Sequence, residues 1–134
     1  MDIEKSEPVF IEALELFLHE GIELELSGVL ESEAAQRELL RWLTDIDTNI
    51  RQRALDSFQV DVRKLEFVNS SAIRLFVDWI SRAEEGGYKL VFSIDRGVTW
   101  QRLSFPVLES IAPEFVQIVD GAKSTPSGNP LRLK

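Results

Sequence analysis

A chain of 134 residues with 44% apolar and 28% charged side chains has the make-up of a soluble globular protein, sized for one domain around one ordinary core. Its 23 acids against 15 lysines and arginines leave a net charge of −8, which argues against a nucleic-acid surface and against attachment to anionic lipid. With no cysteine and one histidine, His19, disulfides, thiol nucleophiles and thiolate metal sites are excluded, and any histidine relay would rest on His19 alone. No apolar run approaches the roughly 20 residues that span a bilayer. The opening "MDIEKSEPVF" carries acids where a secretory signal carries a basic segment, so the expected location is the cytoplasm.

Residues 1–13 read as an arm or an edge strand. In "LELFLHEGIELELSG" the leucines Leu14, Leu16 and Leu18 share one face, and Ile22, Leu24 and Leu26 do the same beyond a turn at Glu20-Gly21. Alternation on both sides of a glycine predicts a half-buried hairpin with its glutamates toward water. His19, beside that turn, reads as a solvated turn residue.

The period then changes. Ser32 can cap a helix on which Ala35, Leu39, Trp42, Leu43, Ile46 and Ile50 recur at helical spacing. Arg51 and Arg53 suit its negative end. The polar run "TDIDTN" predicts a break near Asp47. "FQVDVRKLEFV" reads as a buried strand offering Phe58, Val60, Val62, Leu65 and Phe67 to the core. After Asn69-Ser70-Ser71 a helix is expected from about Ser71 to Glu85, closed by the paired glycines Gly86-Gly87. "YKLVFSI" is a further strand. "TWQRLSFPVLESI" is a helix capped by Thr99 with a kink or restart at Pro106, and "EFVQIV" is a last strand. From Asp120 onward, "DGAKSTPSGNPLRLK" has little to bury and reads as a flexible tail.

Short strand–helix–strand connections force parallel pairing with right-handed crossovers. The expected fold is α/β: a mixed sheet, antiparallel at its start and parallel later, covered by three to four helices. One domain is expected over residues 1–119, with no internal repeat.

The helix after the serines raises the functional question. On a wheel, Ile73, Phe76, Val77, Ile80 and Ala83 face the sheet, while Arg74, Asp78, Ser81 and Glu85 face water. Leu75 and Trp79 widen the apolar arc on one flank. Either a neighbouring helix covers that flank, with Phe105 or Leu108, or it is a docking patch in which Trp79 anchors a partner. The serines divide in the same way. "NSS" can be a helix cap and nothing more. It is equally a place where a phosphate is welcome, since first-turn amides and the helix dipole favour an anion and Arg74 lies one turn beyond Ser70. A phosphate would add about −1.5 to −2 charge at the rim of the flank. No base, nucleophile or metal set accompanies the serines, so another protein would supply the catalyst.

"LEFVNSSAI", following a "VDV" strand and preceding a helix that ends in Gly-Gly, resembles the signature of STAS domains. The likeness is strongest to the small stand-alone anti-sigma factor antagonists of bacteria. "LELSGVL" resembles the strand that opens those domains, and the resemblance spans residues 14–119. "TWQR", Thr99 to Arg102, is similar to a segment of a cyanobacterial-type group of such regulators. In the family the run is Asp-Ser-Ser-Gly or Asp-Ser/Thr-x-Gly, and the hydroxyl after the Asp takes phosphate from a partner serine kinase. That kinase is also the anti-sigma factor, and a phosphatase reverses the reaction.

The resemblance implies Ser70 as acceptor, with Ser71 as second candidate. It also implies Asn69, Arg74 and Arg102 near the phosphate, a docking helix contacting the partner through Leu75 and Trp79, and no cofactor, metal or catalytic residue. Asn69 stands where the family has Asp, and Ala72 where it has Gly. Two other readings stay open: a scaffold that is never phosphorylated, and a small-ligand sensor using Asp61 and Asp95 at strand ends.

Overall fold

Strict alternation of buried leucines with half-exposed residues builds the start of the sheet in the computed structural model, which describes residues 7–120. β1 (Pro8–Ile11) lies at one edge, antiparallel to β2 (Leu14–His19), which is antiparallel to β3 (Glu23–Leu30). α1 (Glu33–Gln52) then crosses to β4 (Ser57–Val68), α2 (Ser70–Gly86) to β5 (Lys89–Ile94), and α3 (Thr99–Ile111) to β6 (Val116–Asp120). The strands stand in the order β1-β2-β3-β4-β5-β6, parallel from β3 onward. This is the expected mixed α/β sheet, with three helices among the described residues. The edge strand expected near the start is β1. The first six residues of the expected arm and the tail beyond Asp120 lie outside the described residues.

Buried faces of all three helices join one core with Leu14, Leu16, Leu24, Leu26, Phe58 and Val60, so the helices lie on one side of the sheet. At its centre Phe92 of β5 sits between Phe76 of α2 and Phe105 of α3, at ring-centroid distances of 6.1 and 5.0 Å. Several inward assignments need correction. Ile22 is 44% exposed, because Glu20 and Gly21 turn the chain at positive φ (53° and 75°) and alternation resumes only at Glu23.

Phe67 is 46% exposed, with Leu65 and Val68 buried in its place. The β3–β4 register shifts twice, and each shift adds one residue to β4, so the pleat reverses at each. One shift sits at Gly28, whose φ of 94° and close approach to the Ala13 carbonyl leave no room for a Cβ.

α1 does not break at Asp47. Thr44 and Thr48 turn their hydroxyls back onto the carbonyls of Leu40 and Thr44, at 2.9 and 3.1 Å, so the polar run is satisfied inside the helix. Ser32 caps it as expected, its Oγ accepting the Ala35 amide at 3.0 Å. α3 likewise runs unbroken through Pro106, and its N-cap is Val98, which makes no side-chain cap bond; Thr99 is the first helical residue. Docking explains why α3 needs no cap: Gln101 is fully buried and reaches back from its first turn to β4.

Candidate functional site

The parallel pairing of β3 with β4 brings two strand-to-helix junctions side by side, Glu31-Ser32 before α1 and Asn69 before α2. Asn69 is the N-cap of α2, with extended backbone (φ −79°, ψ 170°) and its Oδ1 accepting the Ala72 amide at 3.0 Å. Its own amide donates to the Leu30 carbonyl at 3.2 Å, and its Nδ2 donates to the Glu31 carbonyl at 2.9 Å. Asn69 therefore closes its own helix and ties it to the neighbouring junction.

Gln36, in the first turns of α1, completes the link. Its Nε2 donates to Ser71 Oγ at 3.1 Å and the Glu31 carbonyl at 3.2 Å, with Asn69 Oδ1 at 3.4 Å. Ser71 in turn donates to Asn69 Oδ1 at 3.1 Å, with Gln36 Oε1 at 3.4 Å as the other acceptor in reach. Sequence reading missed Gln36, because nothing local marks a glutamine in an amphipathic helix as the partner of a serine 35 residues away. Ser70 is different. It is the first residue of α2, exposed, and its hydroxyl makes no hydrogen bond among the described residues.

Arg74, one turn further on, is exposed, and its guanidinium has no hydrogen bond or ion pair among the described residues. Arg102 goes elsewhere: it donates to the Arg96 carbonyl at 3.0 Å, in the loop between β5 and α3. The first turn of α3 is anchored lower, on the irregular part of β4. Trp100 Nε1 donates to the Leu65 carbonyl at 2.8 Å, and Gln101 Nε2 donates to the Val62 and Leu65 carbonyls at 2.7 and 3.0 Å. Asn69, Ser70, Ser71 and Arg74 are thus grouped at the start of α2, and Arg102 is committed to its own loop. Ala72 is fully buried, so its methyl faces the core and does not stand between the loop and an approaching backbone.

The docking flank is also corrected. Leu75 is half-buried at the surface, but Trp79 is fully buried and cannot anchor a partner. Its indole packs on Phe58 at 5.7 Å and donates to the Tyr88 hydroxyl at 3.2 Å; that hydroxyl donates to Asp47 Oδ1 at 2.7 Å. Asp47 also receives Arg51 Nε at 3.1 Å, and Arg51 reaches on to Glu85 at 3.2 Å. The flank is covered by α1 and Tyr88, while Phe105 packs on Phe76. Burial, then the bond to Asp47, pushes the Tyr88 phenol well above its usual range. Val77, expected inside, is 37% exposed.

The residues of the ligand-sensor reading have other work. Asp61 is buried and gripped in two-point contact by Arg63, at 3.0 and 2.7 Å. Asp95 Oδ1 accepts the Gly97 amide at 2.9 Å and shapes the turn into α3. His19 is partly exposed, stacks on Phe17 and lies 3.2 Å from Glu25 Oε1. Among the described residues no three or more His, Asp or Glu side chains gather to hold a metal ion, and no helix is long and apolar enough to cross a membrane.

The six-stranded order, parallel from β3 onward, and the three helices on one side of the sheet define a mixed α/β fold with the serine-bearing junction before α2. Among solved structures, the chain superposes on the crystal structure of an anti-sigma factor antagonist from Mycobacterium paratuberculosis. The TM-score is 0.54 with 84% of each chain covered, at 9% sequence identity, a likeness of fold. Comparisons with protein-family models and with the sequences of curated proteins return no match.

Proposed function

We propose that this chain is a cytoplasmic, non-enzymatic regulator that switches partners, with Ser70 as the phosphate acceptor. A serine kinase that is also the anti-sigma factor would be its partner, and a phosphatase would restore it. One observation carries this reading: at the head of α2, Ser70 offers an exposed, unbonded hydroxyl while Ser71 beside it is held by Asn69 and Gln36. A phosphate on Ser70 would meet the positive end of α2 and the free guanidinium of Arg74. The partner would read the exposed side of α2 around Arg74 and Leu75, where the added charge of about −1.5 to −2 reverses the local field. Trp79 serves this surface only from beneath, by fixing α2 on α1.

The test is to incubate the full chain with ATP and its co-purifying proteins and map added phosphate by mass spectrometry, with S70A and S70D in parallel pull-downs. Phosphate on Ser70, and a partner kept by S70A but lost by S70D, supports the switch. A partner held equally by all three chains with no label establishes the scaffold reading, which the uncharged cap at Asn69 favours. The ligand-sensor reading draws no support from Asp61 or Asp95, since both carboxylates serve the fold.

A further inference from the structure

The C-terminal halves of α1 and α2 leave a groove of about 570 Å³ between them. Two arginines line it, one from each helix, and both are fixed in the same way. Arg51 Nε is held by Asp47 Oδ1 at 3.1 Å and Arg82 Nε by Asp78 Oδ2 at 3.3 Å, in each case the carboxylate one turn earlier. Gly86 gives Arg51 its seat, since a Cβ there would stand 2.8 Å from Arg51 Nε. Pinned through Nε, each guanidinium keeps terminal N–H groups in hand. Arg51 Nη2 donates to the Arg82 carbonyl and to Glu85, at 2.9 and 3.2 Å. Arg51 Nη1 and both terminal nitrogens of Arg82 make no hydrogen bond among the described residues.

One directed acceptor is left over as well. Asp47 is 6% exposed, and its bonds from Tyr88 and Arg51 both fall on Oδ1. Among the described residues no fully buried side-chain oxygen or nitrogen lacks a partner, so the unbonded Oδ2 opens on the groove that Asp47 lines. Charge then selects the ligand. Asp47, Asp78 and Glu85 stand against Arg51 and Arg82 in the lining, a net of −1, and the negative ends of two helix dipoles lie close by. An anion alone is disfavoured there, while a cation alone is repelled by the free guanidinium edges. A small zwitterion meets both conditions. Its carboxylate matches the terminal N–H groups of the arginines, and its ammonium matches Asp47 Oδ2. The space is that of a small-molecule site, for which about 300–1,000 Å³ is usual.

We infer that the groove between α1 and α2 binds a small zwitterion of the amino-acid or dipeptide class, its carboxylate on Arg82 and Arg51 and its ammonium on Asp47. A ligand so held bridges the two helices. Ser81, in the lining, lies about 16 Å along α2 from Ser70, so the site stands whether or not Ser70 takes phosphate.

The test titrates glycylglycine into the isotope-labelled full chain at about 0.15 M salt and follows the backbone amides by NMR. Saturating shifts are expected at Asp47, Ser81 and Glu85, with a dissociation constant on the order of millimolar. R82Q, whose fold is checked by circular dichroism, should weaken binding about tenfold or more. Acetate and methylammonium each carry half of the recognition, and each should bind at least about tenfold more weakly than the dipeptide. No saturating shift up to about 50 mM glycylglycine overturns the inference, as does unchanged affinity in R82Q. Acetate or methylammonium binding as tightly as glycylglycine also overturns it, because a single charge would then suffice.

Discussion

Asn69 Oδ1 accepts the amide hydrogen of Ala72 at 3.0 Å, so an uncharged side chain performs the capping bond itself. N69A is expected to lower stability by about 1 kcal/mol, the usual cost of losing such a cap. N69D keeps the acceptor and adds a charge that the helix dipole favours, but loses the Nδ2 bond to the Glu31 carbonyl, so it is expected to lose less stability than N69A. Urea unfolding followed by circular dichroism measures both; equal losses for the two variants would contradict this account.

Gln36 and Ser71 are coupled across two helices, at 3.1 Å, and their bonds occupy the hydroxyl of this exposed second serine. Q36A should cost about 0.5–1.5 kcal/mol. With Ser70, the acceptor proposed above, replaced in the same chain, it should also open Ser71 to phosphate. Mass spectrometry of S70A against S70A/Q36A after kinase treatment reads this out, with label on Ser71 expected in the double variant only.

Ser70 occupies the first position of α2, where a negative side chain meets the positive end of the dipole. S70D is therefore expected to raise stability by about 0.3–1 kcal/mol at low ionic strength and to lose that gain in high salt. S70A should leave stability unchanged, within about 0.5 kcal/mol. A destabilising S70D would show that an anion is unwelcome at this junction, against the phosphate reading.

Trp79 is buried and Val107 is exposed, and substitution should separate them sharply. W79A is expected to cost about 3–5 kcal/mol, from lost burial and the cavity left between α1 and α2. V107S, on the surface, should stay within about 0.5 kcal/mol. Thermal melts of the two variants check the assignment of Trp79 to the core.

Tyr88 supplies a pH dependence whose sign follows from its raised pKa. In the unfolded chain the phenol ionises near about pH 10, whereas in the folded protein it keeps its proton to higher pH. Between those values the folded state binds more protons, so its stability is complete below about pH 10 and falls as pH rises beyond it. Y88F removes this titration. It should lower stability at neutral pH by about 1–3 kcal/mol, since Asp47 and the Trp79 indole lose their partner, and give a flatter alkaline limb. Unfolding free energy from pH 8 to 12, compared between parent and Y88F, is the measurement.

Much of this molecule is legible without coordinates. Leucine alternation around Glu20-Gly21 identifies the hairpin, and Ser32 and Gly87 mark helix ends. The order of elements gives a mixed sheet, because short crossovers permit little else. Inward and outward assignments fail where a local period meets a non-local constraint. Phe67 was turned out by register shifts set against β3, and Trp79 was drawn in by α1 and Tyr88. Asp47, a helix-weakening residue by its neighbours, is the buried acceptor for Tyr88 and Arg51.

The sequence by itself determined the strands, the helices, the acidic balance and the placement of Asn69-Ser70-Ser71 at a helix mouth, since each depends on neighbours a few residues apart. Only the tertiary structure decided which serine is free. Parallel pairing of β3 and β4 sets Gln36 beside Ser71 and leaves Ser70 unbonded, and no local pattern encodes a contact made across so long a loop of chain.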